Sequence, residues 1–183
     1  MNLIVDIGNT SAKLAVFEEG ELKECVRCSN QTLDALPALC RKYTIRKGIV
    51  SSVVSLTDEV RQVLAGLPFS MMEFNHQTPI PIRNLYKTPA TLGMDRLAAV
   101  IGAYTMQPSH PILVIDAGTC ITFDFIDEQG NYHGGNISPG MEMRFKALHR
   151  FTSKLPEVSP EGEAPFYGQS TETAIRSGVI RGI

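Results

Sequence analysis

The sequence predicts an α/β protein made of two related halves, each with a mixed central sheet flanked by helices. Two observations carry that expectation. Leu3-Ile4-Val5-Asp6-Ile7-Gly8-Asn9-Thr10 is echoed by Leu113-Val114-Ile115-Asp116-Ala117-Gly118-Thr119, with the two aspartates 110 residues apart. Each copy leaves an apolar run through Asp-x-Gly, enters a second one (Lys13 to Phe17, Ile121 to Ile126) and turns into a third, so one supersecondary unit occurs twice. The rest of the first half alternates between helical and strand periodicity. The halves are expected at residues 1–110 and 111–183, and since only 67 residues follow Asp116 the second half reads as incomplete.

The elements follow in order. Polar turns at Glu18-Glu19-Gly20 and Asp127-Glu128-Gln129-Gly130 separate the second and third strands of each copy. Thr32 to Tyr43 sets Leu33, Leu36, Leu39 and Cys40 at helical spacing, with Asp34 in the first turn, where the helix dipole favours an anion. Lys47 to Val54 is a β-branched strand, Asp58 to Ala65 a short helix begun by Thr57 or Asp58, and Ser70 to Phe74 another strand. Asn75 to Pro89 holds Pro79, Pro81 and Pro89, which suits an extended crossing segment better than a helix or a central strand. Thr91 to Met106 reads as a helix and Tyr132 to Ile137 as a strand. Ser138 is a good N-cap with Pro139 behind it, opening a helix to about Phe151 with Met141, Phe145 and Leu148 on one face. A proline- and glutamate-rich loop, Ser153 to Gly168, leads to a last helix capped by Ser170.

Charge and composition narrow the function. With 17 basic and 19 acidic side chains, the net charge of −2 argues against a protein that coats nucleic acid or lies on a membrane. The 43% hydrophobic and 20% charged content is that of a folded globular chain, and no apolar run approaches the ~20 residues of a membrane helix. Four cysteines and no export leader point to a reducing cytoplasm.

The two Asp-x-Gly turns are the strongest chemical signal. Glycine lets backbone N–H groups approach an oxyanion without a Cβ in the way, and the hydroxyls of Thr10, Ser11 and Thr119 can donate to phosphate oxygens. An aspartate at the strand end can hold a cation or its water between those oxygens. A single such turn is most simply a hairpin; two at equivalent places can clamp a polyphosphate in a cleft between domains, as in the actin, Hsp70 and sugar-kinase superfamily. No Gly-Lys-Ser or Gly-Lys-Thr occurs, so this is not a Walker A loop, and Gly-x-Gly-x-x-Gly is missing as well.

Asp6-Ile7-Gly8-Asn9-Thr10-Ser11-Ala12-Lys13, Gly93-Met94-Asp95-Arg96, Asp116-Ala117-Gly118-Thr119 and Gly134-Gly135-Asn136-Ile137-Ser138-Pro139-Gly140 together resemble the motif series of type III pantothenate kinase. Gly168-Gln169-Ser170-Thr171 with Ala174-Ile175 and Ser177-Gly178 fits the same series, so the resemblance runs the length of the chain. It implies duplicated actin-like (ribonuclease H-like) domains with the ligand cleft between them. It also implies ATP-dependent phosphorylation of pantothenate, the first step of coenzyme A synthesis, by a cytoplasmic homodimer using Mg2+ and a monovalent cation such as K+ or NH4+. By the same resemblance Asp6, Ile7, Gly8, Asn9, Thr10, Ser11, Ala12 and Lys13 form the first ATP-phosphate loop. Thr119 is the second ATP contact and Asp116 the monovalent-cation ligand. Asp95 is the general base, Gly93, Met94, Asp95 and Arg96 form the pantothenate-binding turn, Tyr86 lines that pocket, and Thr171 meets the substrate from a neighbouring half or subunit.

The residues themselves point the same way. A glycine at position 93 in a helical run costs about 1 kcal/mol against alanine, which invites a reason such as close approach of a ligand. Asp95 and Arg96 are adjacent and point in different directions, and an arginine offers a planar fork to a carboxylate such as pantothenate carries. The plainer reading makes Asp95 a dipole-friendly acid and Arg96 a solvated charge. Cys25-x-x-Cys28 has metal-like spacing, but residues three apart on a strand face opposite sides, so two thiols are the reading. His76, His110, His133 and His149 are scattered and read as surface or loop residues. Two other functions stand beside the kinase: an actin-fold accessory or regulatory protein without catalysis, and a kinase of the same fold acting on another small alcohol.

Overall fold

Leu3, Val5 and Ile7 alternate with more accessible neighbours, and this period of two folds as β1 (Asn2–Ile7), with all three of those side chains fully buried. A four-residue turn leads to β2 (Ala12–Glu18), and Glu19 and Gly20, both at positive φ (51° and 88°), make the tight turn into β3 (Glu21–Cys28). Thereafter the chain alternates: α1 (Leu36–Lys42), β4 (Lys47–Ser52), α2 (Asp58–Ala65), β5 (Ser70–Glu73), the two-residue strand β6 (Arg83–Asn84), a 3-10 turn at Pro89–Thr91 and α3 (Met94–Met106). The computed structural model describes Met1–Ile183 and divides into two compact units, Met1–Gln107 and Pro108–Ile183.

In the first unit the sheet order is β3-β2-β1-β4-β5. β2 pairs antiparallel with β1 and β3, while β4 pairs parallel with β1 and β5, so the sheet is mixed as expected. Leu3, Val5, Ile7 and Val50 pack with Leu33, Leu36 and Leu39 from the α1 segment and Val60 from α2 in one core. The opposite sheet face carries Ile4, Asp6, Ile49 and Ser51.

The second unit repeats the opening hairpin with β7 (Ile112–Ala117) and β8 (Cys120–Ile126), then adds β9 (Asn131–Pro139), α4 (Met141–Arg150) and α5 (Thr171–Arg181). β8 pairs antiparallel with both β7 and β9. Phe145 of α4 packs with Ile175 and Val179 of α5 and with Val158 from the intervening loop. That loop is tied to α5 by Arg176, whose Nε donates to Ser159 O (3.1 Å), and by Ser177 Oγ, which donates to Pro165 O. On β7, Leu113 and Ile115 are 57% and 56% exposed. No helix of either unit is long and apolar enough to cross a membrane.

Three local expectations are corrected. The first helix does not begin at Thr32: Leu33 has φ 50°, which breaks the helical run, and Asp34 Oδ1 accepts the Ser29 N–H (3.0 Å) instead of facing a helix start. Ser138 is not an N-cap but a strand residue; Gly140 caps α4, and Ser138 Oγ accepts from Arg144 Nη2 (2.9 Å). Gly93 is not inside a helix but at the N-cap of α3. Elsewhere the local chemistry holds. Thr57 Oγ1 accepts the Val60 N–H (3.2 Å) to start α2, and Ser170 and Thr173 form a capping box on α5.

Candidate active site

The first hairpin turn is built from its own backbone and one distant side chain. Gly8 N–H donates to Ser11 O (3.0 Å), and Asn30 Nδ2 donates to Gly8 O (2.9 Å) and Asn9 O (3.0 Å), so the turn is held from outside the motif. Ile7 and Ala12 are fully buried, leaving only their backbone for a ligand, whereas Thr10 and Lys13 are exposed and Asp6 and Ser11 half-buried. Register places Lys13 beside Asp6 on one side and Ser51 beside it on the other. An ammonium, a carboxylate and a hydroxyl thus share one face of the sheet, and Arg27 extends the row beyond Lys13.

The second turn repeats this backbone pattern: Gly118 N–H donates to Cys120 O (2.9 Å), and Asp116 and Thr119 are exposed at the strand ends. Here the helix behind the turn is locked to it. Gly140 N–H donates to Thr119 O (3.0 Å), and a Cβ at position 140 would run into Gly118 O and Thr119 O. Only glycine lets the start of α4 come this close.

At the start of α3, Asp95 is exposed while Arg96 is 6% exposed. The plainer reading of Arg96 as a solvated charge therefore fails. Its guanidinium carbon lies 5.8 Å from the centroid of the Tyr86 ring, so the structure brings together two residues 10 apart in sequence. Asp95 Oδ1 accepts the Arg96 N–H (2.8 Å), and a Cβ at Gly93 would strike that same Oδ1. A methyl group at 93 would thus push the Asp95 carboxylate out of its contact with Arg96 N–H. Beside Gly93 and Met94, at the carboxyl ends of the parallel strands β4 and β5, lies a cavity of ≈ 320 Å³ whose polar lining includes Ser52, Asn75 and His76. Open α/β sheets bind ligands at such strand ends. Thr171 is the first residue of α5, exposed, in the second unit.

Sequence reasoning missed Asn30, Arg27 and Ser51. All three reach the site through strand pairing or a long-range hydrogen bond, for which the linear sequence carries no signal beyond a serine pair closing a β-branched strand. Outside the site, burial pushes the Cys28 thiol up, which keeps it protonated and inert, as expected of a structural thiol.

Two glycine turns of one design, each with a carboxylate at its strand end and hydroxyls at hand, suit the binding of phosphate groups, as a kinase requires. The comparisons with known proteins agree. The model of the family described as type III pantothenate kinase matches residues 2–183. A type III pantothenate kinase of Phocaeicola vulgatus is 63% identical over the whole chain, which covers 76% of that protein. One from Bacteroides fragilis is 55% identical, with 75% of it covered. The chain belongs to the type III pantothenate kinase family, and spans about three quarters of the length of these relatives. A solved Campylobacter jejuni structure, described as a Baf family transcriptional activator, covers 98% of this chain and 74% of its own with TM-score 0.57. At 22% identity that likeness shows the fold alone.

Proposed function

We propose that the protein transfers the terminal phosphoryl group of ATP to the hydroxyl of pantothenate, giving 4′-phosphopantothenate for coenzyme A synthesis, as a cytoplasmic homodimer. The observation that carries this is the Gly93–Arg96 turn: a nearly buried arginine stacked on Tyr86, next to an exposed carboxylate oriented by a backbone N–H. A guanidinium held in this way is suited to bind a carboxylate through two parallel hydrogen bonds. Pantothenate presents a carboxylate and, further along, the hydroxyl to be phosphorylated.

In this reading Asp95 takes the hydroxyl proton on the carboxylate oxygen not engaged by Arg96 N–H. The freed oxygen bonds to the γ-phosphorus, the bond from that phosphorus to its bridging oxygen breaks, and ADP leaves with the electron pair. Phosphoryl transfer is loose, so positioning and charge neutralisation contribute more than proton removal. The Gly8 turn, Thr10, Ser11 and Lys13 hold the phosphates from one hairpin and Thr119 from the other. Mg2+ fits the first hairpin, because a single carboxylate plus nucleotide phosphates is its usual environment and Asp6 offers that carboxylate next to the Ser51 hydroxyl. Bound there, it would neutralise developing charge on the phosphate oxygens. K+ or NH4+ fits the exposed carboxylate of Asp116, and Thr171 meets the substrate.

Incubating the protein with ATP, Mg2+, K+ and pantothenate should yield phosphopantothenate and ADP in equal amounts, read by mass spectrometry. ATP turnover with a different alcohol and none with pantothenate would assign the kinase another substrate. No turnover with any acceptor would leave the accessory-protein reading.

A further inference from the structure

Ser51 and Ser52 close β4 side by side, yet they are treated oppositely. Ser52 Oγ is satisfied within its own turn, donating to Val54 O (2.7 Å) and accepting from Val54 N–H (3.3 Å). Ser51 Oγ is buried with no hydrogen-bond partner. A buried hydroxyl left in that condition destabilises the fold that contains it, so native structures rarely keep one without a reason. Strand pairing supplies the reason. Ser51 is in parallel register with Asp6, on the sheet face away from the core. Val53 N–H donates to Ile7 O (3.0 Å), fastening the end of β4 to the strand that carries the phosphate turn.

We propose that Ser51 is a positioning residue for Asp6: with nucleotide bound, its hydroxyl donates to the Asp6 carboxylate and fixes the orientation in which that carboxylate faces the phosphate-bound cation. This role rests on the nucleotide-binding reading given above. Hydroxyl donors behind a ligating carboxylate act in this manner at metal sites, and losing one typically weakens binding or activity about 10–100-fold. Since the hydroxyl has no partner within the protein, removing it should leave the fold as stable as before or more so, while weakening the nucleotide-bound state.

The test compares wild type, Ser51→Ala and Ser51→Thr by thermal melting without ligand and by calorimetric titration with ADP, in Mg2+ and in EDTA. Expected for Ser51→Ala is an unchanged or raised Tm with about tenfold weaker ADP binding in Mg2+. In EDTA, where no cation connects Asp6 to the phosphates, the difference should vanish. Ser51→Thr, which keeps the hydroxyl on a β-branched side chain suited to a strand, should restore binding. The proposal is overturned if Ser51→Ala binds ADP with Mg2+ as wild type does, if it lowers the Tm, or if Ser51→Thr fails to rescue. Wild type that binds no ADP at all would remove the nucleotide reading and this role with it, a result distinct from equal binding by wild type and alanine variant.

Discussion

Asp95 and Asp127 show how differently two carboxylates are used. Asp95 is exposed and fixed by one short backbone contact, which suits the proton-accepting role proposed for it. Replacing it by asparagine keeps the shape and the contact with Arg96 N–H but removes the base. Turnover is expected to fall about 10²–10⁴-fold, with ADP affinity nearly intact, as a coupled ADP-release assay and calorimetry would read; unchanged turnover removes Asp95 from the role. Asp127 is structural. Burial alone would raise its pKa, but hydrogen bonds from His133, Asn131 and the backbone N–H groups of Asn131 and Gln129 outweigh that and bring it down to about 2. A depressed folded-state pKa contributes stability above the unfolded value of 3.8, and that contribution is lost as pH falls from there toward about 2. Asp127→Ala should therefore lower the Tm at neutral pH, and the gap to wild type should close across that acid window in a melting series. A gap that keeps its full neutral-pH size down to pH 2 would mean the carboxylate charge contributes nothing.

Among the elements, the hairpin turns depend on what is packed behind them. The second turn lies against the N-cap glycine of α4, so Gly140→Ala forces a methyl group into Gly118 O and Thr119 O. Overpacking of this kind costs about 1–3 kcal/mol, and because the displaced atoms belong to the turn that offers Thr119, ATP affinity should fall along with the Tm. Retained affinity would show that this turn does not touch the nucleotide. Much of this level was legible in the sequence. Both hairpins, the extent of α2 and the Ser170 cap follow from period-two alternation and capping residues, which act over a few positions. The start of α1 and the cap of α4 were not, because Leu33, completely buried, takes a positive φ that interrupts the helix and Ser138 is drawn into β9 by pairing with Ile121. The motif residues announced themselves, whereas Ser51 and Asn30 became visible only through register with Asp6 and hydrogen bonds to Gly8 and Asn9. Such couplings span 21 or more residues and leave no local pattern.

For the whole molecule, the two units carry one hairpin design in different surroundings. β1 hydrogen-bonds on both flanks, to β2 and β4. β7, its counterpart, is the outer strand of its sheet and presents Leu113 and Ile115 at more than half exposure. An apolar outer strand with open backbone groups is a template for another chain to add to. Self-association of the chain should thus begin at β7, and Leu113→Lys with Ile115→Lys should suppress it in light scattering across a dilution series; a double variant that aggregates as readily as wild type places the sticky surface elsewhere. Asp116 stands on this same strand. Handling conditions and the proposed chemistry are thereby joined: a strand that zips onto β7 would run alongside Asp116, the residue proposed for the monovalent cation, so under that proposal response to K+ would gauge how much of a preparation is still dispersed.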